Sequence, residues 1–177
     1  MKFYEQKISG IFLIEPEPFK DERGIFRRHF CDDEFESNGI VSNVKQSNIS
    51  ENKFAYTLRG FHYQIQPYGE GKTLCCLKGE IYDIIVDLRE NSATYLQWIG
   101  FNLNETNKLS VHIPPGCANA FLTMESNCLI HYYCSMSYNP NAERGIRYND
   151  PAFDFKWPHE IEVISDKDNS HPDFKKE

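Results

Sequence analysis

The chain has 177 residues, 40% hydrophobic and 25% charged, a balance ordinary for a soluble globular protein, and it predicts one domain spanning residues 1–177. A formal net charge of −7 argues against broad nucleic-acid binding, which needs a basic face, yet leaves room for a small anion held by a few arginines. No apolar stretch approaches the roughly 20 residues of a membrane span, and "MKFYEQKISGIF" lacks the apolar core and cleavage site of a signal peptide, so a cytoplasmic setting away from membranes is expected.

In chain order, strand-like runs follow one another between turn residues. They are "GIFLIEP" (10–16), "GIFRRHF" (24–30), "YTLRGFHYQ" (56–64), "TLCCLKG" (73–79), "EIYDIIVDL" (80–88), "QWIGFNL" (97–103), "LSVHIPP" (109–115), "NAFLTM" (119–124) and "CLIHYYC" (128–134). Only "DDEFES" (32–37), closed by Gly39, reads as a helix, and a short one. After Pro140 the chain becomes turn-rich, with a last strand or helical turn near "EIEVISDKD" (160–168). About nine or ten short strands in one domain predict an all-β sandwich or barrel, and a double-sheet jelly roll with short peripheral helices suits them best. The six cysteines show no C-x-x-C pairing, and several lie in apolar runs where a free thiol behaves as a small hydrophobe, as in a reducing compartment.

The segment "LRGFHYQ" (58–64) poses the functional question, because a strand rarely carries an arginine and a histidine that are costly to bury unpaired. Strict alternation puts Arg59 and His62 on opposite faces, whereas a bulge at Gly60 would bring them together. On its own, His62 reads equally well as a satisfied strand residue or as part of a site. A metal-binding cupin pattern is not supported, since Gln64 and Asn119 stand where ligands would be needed, so no metal and no cofactor is expected. Taken alone, Tyr132, Tyr133 and Tyr138 read as core packing ahead of proton donation. Lys72 follows "PYGEG" and opens a strand, where an ammonium can hold developing negative charge. Asp168, in the charged turn "SDKD", matters only where the fold carries it to a histidine.

Together these pieces resemble the dTDP-4-dehydrorhamnose 3,5-epimerase family, cupin-like epimerases of sugar nucleotides. The features that carry the resemblance run in order: "DERGIF", "QSN" (46–48), "LRGFHYQ", "GK" (71–72), "KGEIYDIIVDLR", "ATYLQW", "IPPGCANAF", "YNPNAERGIRYNDP", "WP" and "SDKD". They span nearly the whole chain. The resemblance implies a homodimeric cupin-type jelly roll that acts without metal on a nucleotide-linked 4-keto-6-deoxy sugar, in deoxysugar and polysaccharide biosynthesis. It implies His62 as catalytic base, Asp168 as the acid that orients it, Tyr132 as proton donor and Lys72 near the sugar's C4 oxygen. It further implies Arg23, Phe26, Gln46, Asn48, Arg59 and Tyr138 as contacts to diphosphate, nucleotide or sugar, with Arg28 and Asn119 at substrate-binding positions beside them, several of these contacts made across a dimer interface.

The departures are as informative. "PPGCANAF" replaces the family's "PPGFAHGF", so Asn119 stands where an active-site histidine is usual; an amide hydrogen-bonds but carries no proton. Arg28 replaces a glutamate beside the expected nucleotide site, Ser137 a tyrosine, and "LCC" (74–76) the usual "LVR". Three alternatives stay open: a single-carbon epimerase or ketoisomerase on another nucleotide-deoxysugar, a non-catalytic sugar-nucleotide-binding jelly roll, and a metal cupin. The epimerase reading makes a structural demand. Pleating should fail near Gly60, Arg59 and His62 should reach one cavity, and Asp168 should lie within hydrogen-bond reach of His62.

Overall fold

The computed structural model describes residues 1–175. Strands are β1 (Lys2–Glu5), β2 (Phe12–Glu15), β3 (Phe19–Asp21), β4 (Gly24–Phe26), β5 (Gln46–Asn52), β6 (Leu58–Gln64), β7 (Lys72–Lys78), β8 (Glu80–Asp87), β9 (Trp98–Asn104), β10 (Ser110–Ile113), β11 (Cys117–Thr123), β12 (Cys128–Cys134) and β13 (Glu143–Gly145). Two short helices join them, α1 (Asp32–Glu36) and α2 (Asp166–Asn169).

A six-stranded sheet runs β1-β2-β10-β7-β12-β5, a five-stranded sheet runs β13-β6-β11-β8-β9, and β3-β4 form a separate hairpin. All ladders among these strands are antiparallel. The two-residue period of the strands sorts side chains to two faces. Leu74, Cys76, Val111, Ile113 and Ile130 from one sheet meet Ile81, Ile85, Phe101, Leu103, Cys117 and Phe121 from the other in one buried cluster. The sheets therefore pack face to face as the expected jelly roll, at about 1.5–3 kcal/mol for each fully buried aliphatic or phenyl side chain.

The outer faces are covered differently. Phe153, Phe155 and Trp157 from the late turn-rich segment lie over Phe61, Ile84, Val86, Ala118 and Ala120 of the five-stranded sheet. Helix α1 presses Phe35 onto Ile14 and Tyr133 of the six-stranded sheet, with Phe3 and Phe30 packed beside it.

Two sequence expectations need correction. The strand over "GIFRRHF" ends at Phe26, because residues 27–30 leave the hairpin and cross the six-stranded sheet toward α1. β5, "QSNISEN", is absent from the predicted strands, its polar composition hiding the strand period, yet it pairs with β12 along its full length. At the chain's end, Val163 bridges Thr57 and the "SDKD" segment becomes α2, capped by the Ser165 hydroxyl, which accepts from the Asp168 N–H.

Candidate active site

Gly60 is where the pleat of β6 fails. Its φ of +113° lies in the region open to glycine, and a Cβ there would fall 2.5 Å from the Asn119 carbonyl oxygen and 2.8 Å from Ala120. Against β11, His62 pairs with Asn119 but Arg59 pairs with Phe121, so three steps on β6 match two on β11. The extra residue turns Phe61 into the outer aromatic layer while Arg59 and His62 both line one cavity.

That cavity, about 160 Å³, is walled by Arg59, His62, Lys72, Asn119, Tyr132 and Asp168, with Leu74, Phe121 and Ile130 of the core as its floor. A second lobe shares His62, Lys72 and Tyr132 and adds Gln46, Asn48, Glu70, Tyr138 and Glu143. Inward-facing alternation explains both walls: Gln46, Asn48 and Ser50 on β5, Lys72 and Leu74 on β7, and Ile130 and Tyr132 on β12.

Asp168 enters from α2. Its Oδ1 lies 2.8 Å from His62 Nε2, and its Oδ2 accepts the Gly60 N–H at 3.1 Å. Burial pushes this carboxyl up, but His62 and the Gly60 N–H outweigh it and hold Asp168 below the usual carboxylate range. An ionised carboxylate only accepts, so His62 Nε2 carries the proton that faces Asp168. Both Asp168 oxygens are thus committed to N–H donors. His171 also stands near, with a ligand atom within 4.8 Å of those of His62 and Asp168.

Lys72 is mostly buried. Its ammonium donates to Asn119 Oδ1 at 3.1 Å and lies 3.4 Å from Glu70 Oε1. Asn119 Nδ2 donates in turn to Asp83 Oδ1 at 2.9 Å. Asp83 is fully buried on β8 between Ile81 and Ile85, and burial, only partly offset by Asn119 and Lys72, pushes its carboxyl up to about 7. The Tyr132 phenol is raised above its ordinary value, chiefly by burial, so it stays protonated at neutral pH. Arg59 is anchored by its Nε, which donates to Asn52 Oδ1 at 2.6 Å.

The remaining predicted contacts divide into two groups. Gln46 accepts the Tyr138 N–H at 2.9 Å and Asn48 keeps a buried Nδ2 without a protein partner, both in the second lobe. Arg23, Phe26 and Arg28 do not reach the cavity within this chain. Arg23 pairs with Asp21 in the β3-β4 hairpin, Arg28 with Glu34 of α1, and Phe26 stands 73% exposed. Sequence reasoning missed Asp83, Glu70 and His171. For Asp83 a signal existed, a lone carboxylate at the centre of the apolar run "EIYDIIVDL".

The family model described as dTDP-4-dehydrorhamnose 3,5-epimerase matches residues 5–176. The chain belongs to this family. A dTDP-4-dehydrorhamnose 3,5-epimerase of Methanothermobacter thermautotrophicus is 37% identical over 96% of this chain and 92% of its own length. The crystal structure of the Elizabethkingia anophelis dTDP-4-dehydrorhamnose 3,5-epimerase superposes with a TM-score of 0.94 at 33% identity, covering 98% of this chain and 96% of that one. A 3'-monoepimerase from Streptomyces bikiniensis, solved in complex with dTDP-quinovose, superposes with a TM-score of 0.89 at 30% identity, covering 96% and 86%. The epimerase family expected from the motifs is therefore borne out, along with its jelly-roll fold.

Proposed function

We propose that this protein inverts C3 and C5 of a nucleotide-linked 4-keto-6-deoxy sugar by proton abstraction and return. The observation that carries the reading is the His62–Asp168 contact on the wall of a cavity that Lys72 and Tyr132 share. A C4 ketone acidifies the hydrogens on C3 and C5. His62 in its neutral form removes one of them while Asp168 holds the ring and balances the imidazolium that forms. Lys72 stabilises the enolate oxygen, the Tyr132 phenol gives a proton to the other face, and proton exchange with water restores the neutral imidazole and phenol before the second carbon reacts. No step draws on a metal or cofactor.

Arg59 and the second lobe hold the diphosphate and nucleotide side of the substrate, with Gln46, Asn48 and Tyr138 as contacts. The β3-β4 hairpin exposes Phe19, Ile25 and Phe26 at 75%, 50% and 73%, more apolar surface than an isolated turn ordinarily shows. We assign it to a homodimer in which Arg23, Phe26 and Arg28 complete the partner's site. Among the described residues no helix is long and apolar enough to cross a membrane, and six unpaired thiols suit a reducing cytoplasm.

A second reading, inversion of a single carbon, is favoured by Asn119, whose amide cannot carry the proton of the histidine usual in the family, and by the likeness to a 3'-monoepimerase. Incubation in heavy water with dTDP-, CDP- and GDP-linked 4-keto-6-deoxy sugars separates the two. Mass shift counts the exchanged carbons and NMR locates them. Binding of these sugars without exchange would reduce the protein to a binding module.

A further inference from the structure

The outer face of the six-stranded sheet carries a cluster of soft side chains that the proposed reaction does not use. Pairing register builds a row across it: Ile14 of β2, Ser110 of β10, Cys75 of β7, His131 of β12 and Ile49 of β5 stand side by side. Residues 27–31 cross over this row and set His29 onto it. The His29 ring lies 5.1 Å from that of His131, and its Nε2 lies 3.8 Å from Cys75 Sγ. Cys75 is buried, the two histidines are half-buried, and one ligand atom from each of the three falls within 4.8 Å of the others.

We propose that His29, Cys75 and His131 form a binding site for a thiophilic divalent ion of the zinc class, which clamps the 27–31 segment to β7 and β12. Two imidazoles and one thiolate are the donor set such ions prefer, and the fourth position is left to water. Bonds of about 2.0–2.1 Å to nitrogen and 2.3 Å to sulfur place ligand atoms roughly 3.3–3.6 Å apart in a tetrahedron, so small side-chain rotations close this cluster on one ion.

The surroundings fit. Ser47 Oγ lies 2.9 Å from His131 Nε2 and Ser110 Oγ lies 3.4 Å from His29 Nδ1, so each ring has one nitrogen held by a serine and its other nitrogen available, as outer partners of metal-bound histidines provide. Burial and the neighbouring charges of His131 and Arg27 hold His29 down near 4, neutral and ready to ligate. The Cys75 thiol, pushed up to about 11 by burial, gives up its proton to the ion on binding. The charge of Arg27 works against burial and favours the thiolate.

The test is titration of the full-length protein with Co2+ and Zn2+ under reducing conditions. An H62N background removes the other histidine cluster, and C31S serves as control for an accessible thiol. The site predicts one Co2+ per chain with a thiolate-to-cobalt charge-transfer band and the ligand-field bands of a four-coordinate ion, displaced by one equivalent of Zn2+. C75S should abolish the charge-transfer band. C75S, H29Q and H131N should each weaken Zn2+ binding by more than the roughly 10–100-fold that outer partners contribute, while C31S leaves it unchanged. Zn2+ should also raise the melting temperature of the C31S protein but not of C75S. No stoichiometric binding, or a band that survives C75S in folded protein, would overturn the proposal and leave the cluster as packing.

Discussion

Asp168 grips both ends of the Gly60–His62 kink: one carboxylate oxygen accepts the Gly60 N–H at 3.1 Å and the other lies 2.8 Å from His62 Nε2. The same side chain thus fixes the backbone that turns β6 and the ring that the turn delivers to the cavity. Asp168 is only 5% exposed, so these bonds are shielded from water.

Replacing Asp168 by Asn leaves the shape but removes the charge that sets the His62 tautomer. We expect D168N to lower turnover by roughly 100-fold or more, within the range of acid–base contributions. The carboxyl is depressed in the fold, so its stabilisation is present above the unfolded value of 3.8 and lost as pH falls through the folded one. Thermal melts should therefore show the wild-type advantage over D168N shrinking below about pH 4.

Gly60 admits no Cβ, on two counts: its positive φ and the 2.5 Å approach of the Asn119 carbonyl oxygen. Overpacking and a strained backbone each cost about 1–3 kcal/mol, so G60A should lose about 2 kcal/mol or more in denaturant unfolding and should lose activity with it.

Asp83 works in the opposite sense to Asp168. Its folded value, about 7, lies above the unfolded 3.8, so the native state holds a proton that the unfolded chain releases, and stability falls as pH rises between these values. D83N removes that slope. Its melting temperature relative to wild type should rise from pH 4 to pH 8, and an unchanged difference would show that Asp83 is ionised throughout.

At the end of β8, Asp87 is buried with its carboxylate held by Arg89, Ser92 and Thr94 at 2.6–2.9 Å. Burial raises this carboxyl, but those donors prevail and bring it to about 2. Removing one partner of a fully buried pair costs about 3–5 kcal/mol, and because the Arg89 side chain is 29% exposed, D87A should fall at the lower end of that range in denaturant unfolding at pH 7. Its deficit should fade as wild type is titrated from about pH 4 toward 2.

The legible parts were those that repeat a simple rule. Apolar strands such as "EIYDIIVDL" and "CLIHYYC" declare themselves by composition and period, and β8 and β12 lie almost where those runs stand. β5 was not legible, because its inward face lines the second lobe with Gln46 and Asn48 and so lacks the apolar alternation of a core strand. His62 and Asp168 are 106 positions apart, a pairing no local pattern contains, and only the chain-long motif order pointed to it. The demand that pleating fail at Gly60 was met, since glycine inside an aromatic strand has few other uses. Within one chain Arg23, Phe26 and Arg28 line surface grooves beside the hairpin, away from the cavity, which is why the proposed homodimer assigns them to the partner's site.

The most direct test is solvent exchange by wild type and H62N on dTDP-linked 4-keto-6-deoxyglucose in heavy water. Deuterium is expected at C3, C5 or both with wild type, and none above background with folded H62N. Undiminished exchange in H62N would contradict it, because the proton would then be leaving through some group other than the imidazole that Asp168 holds.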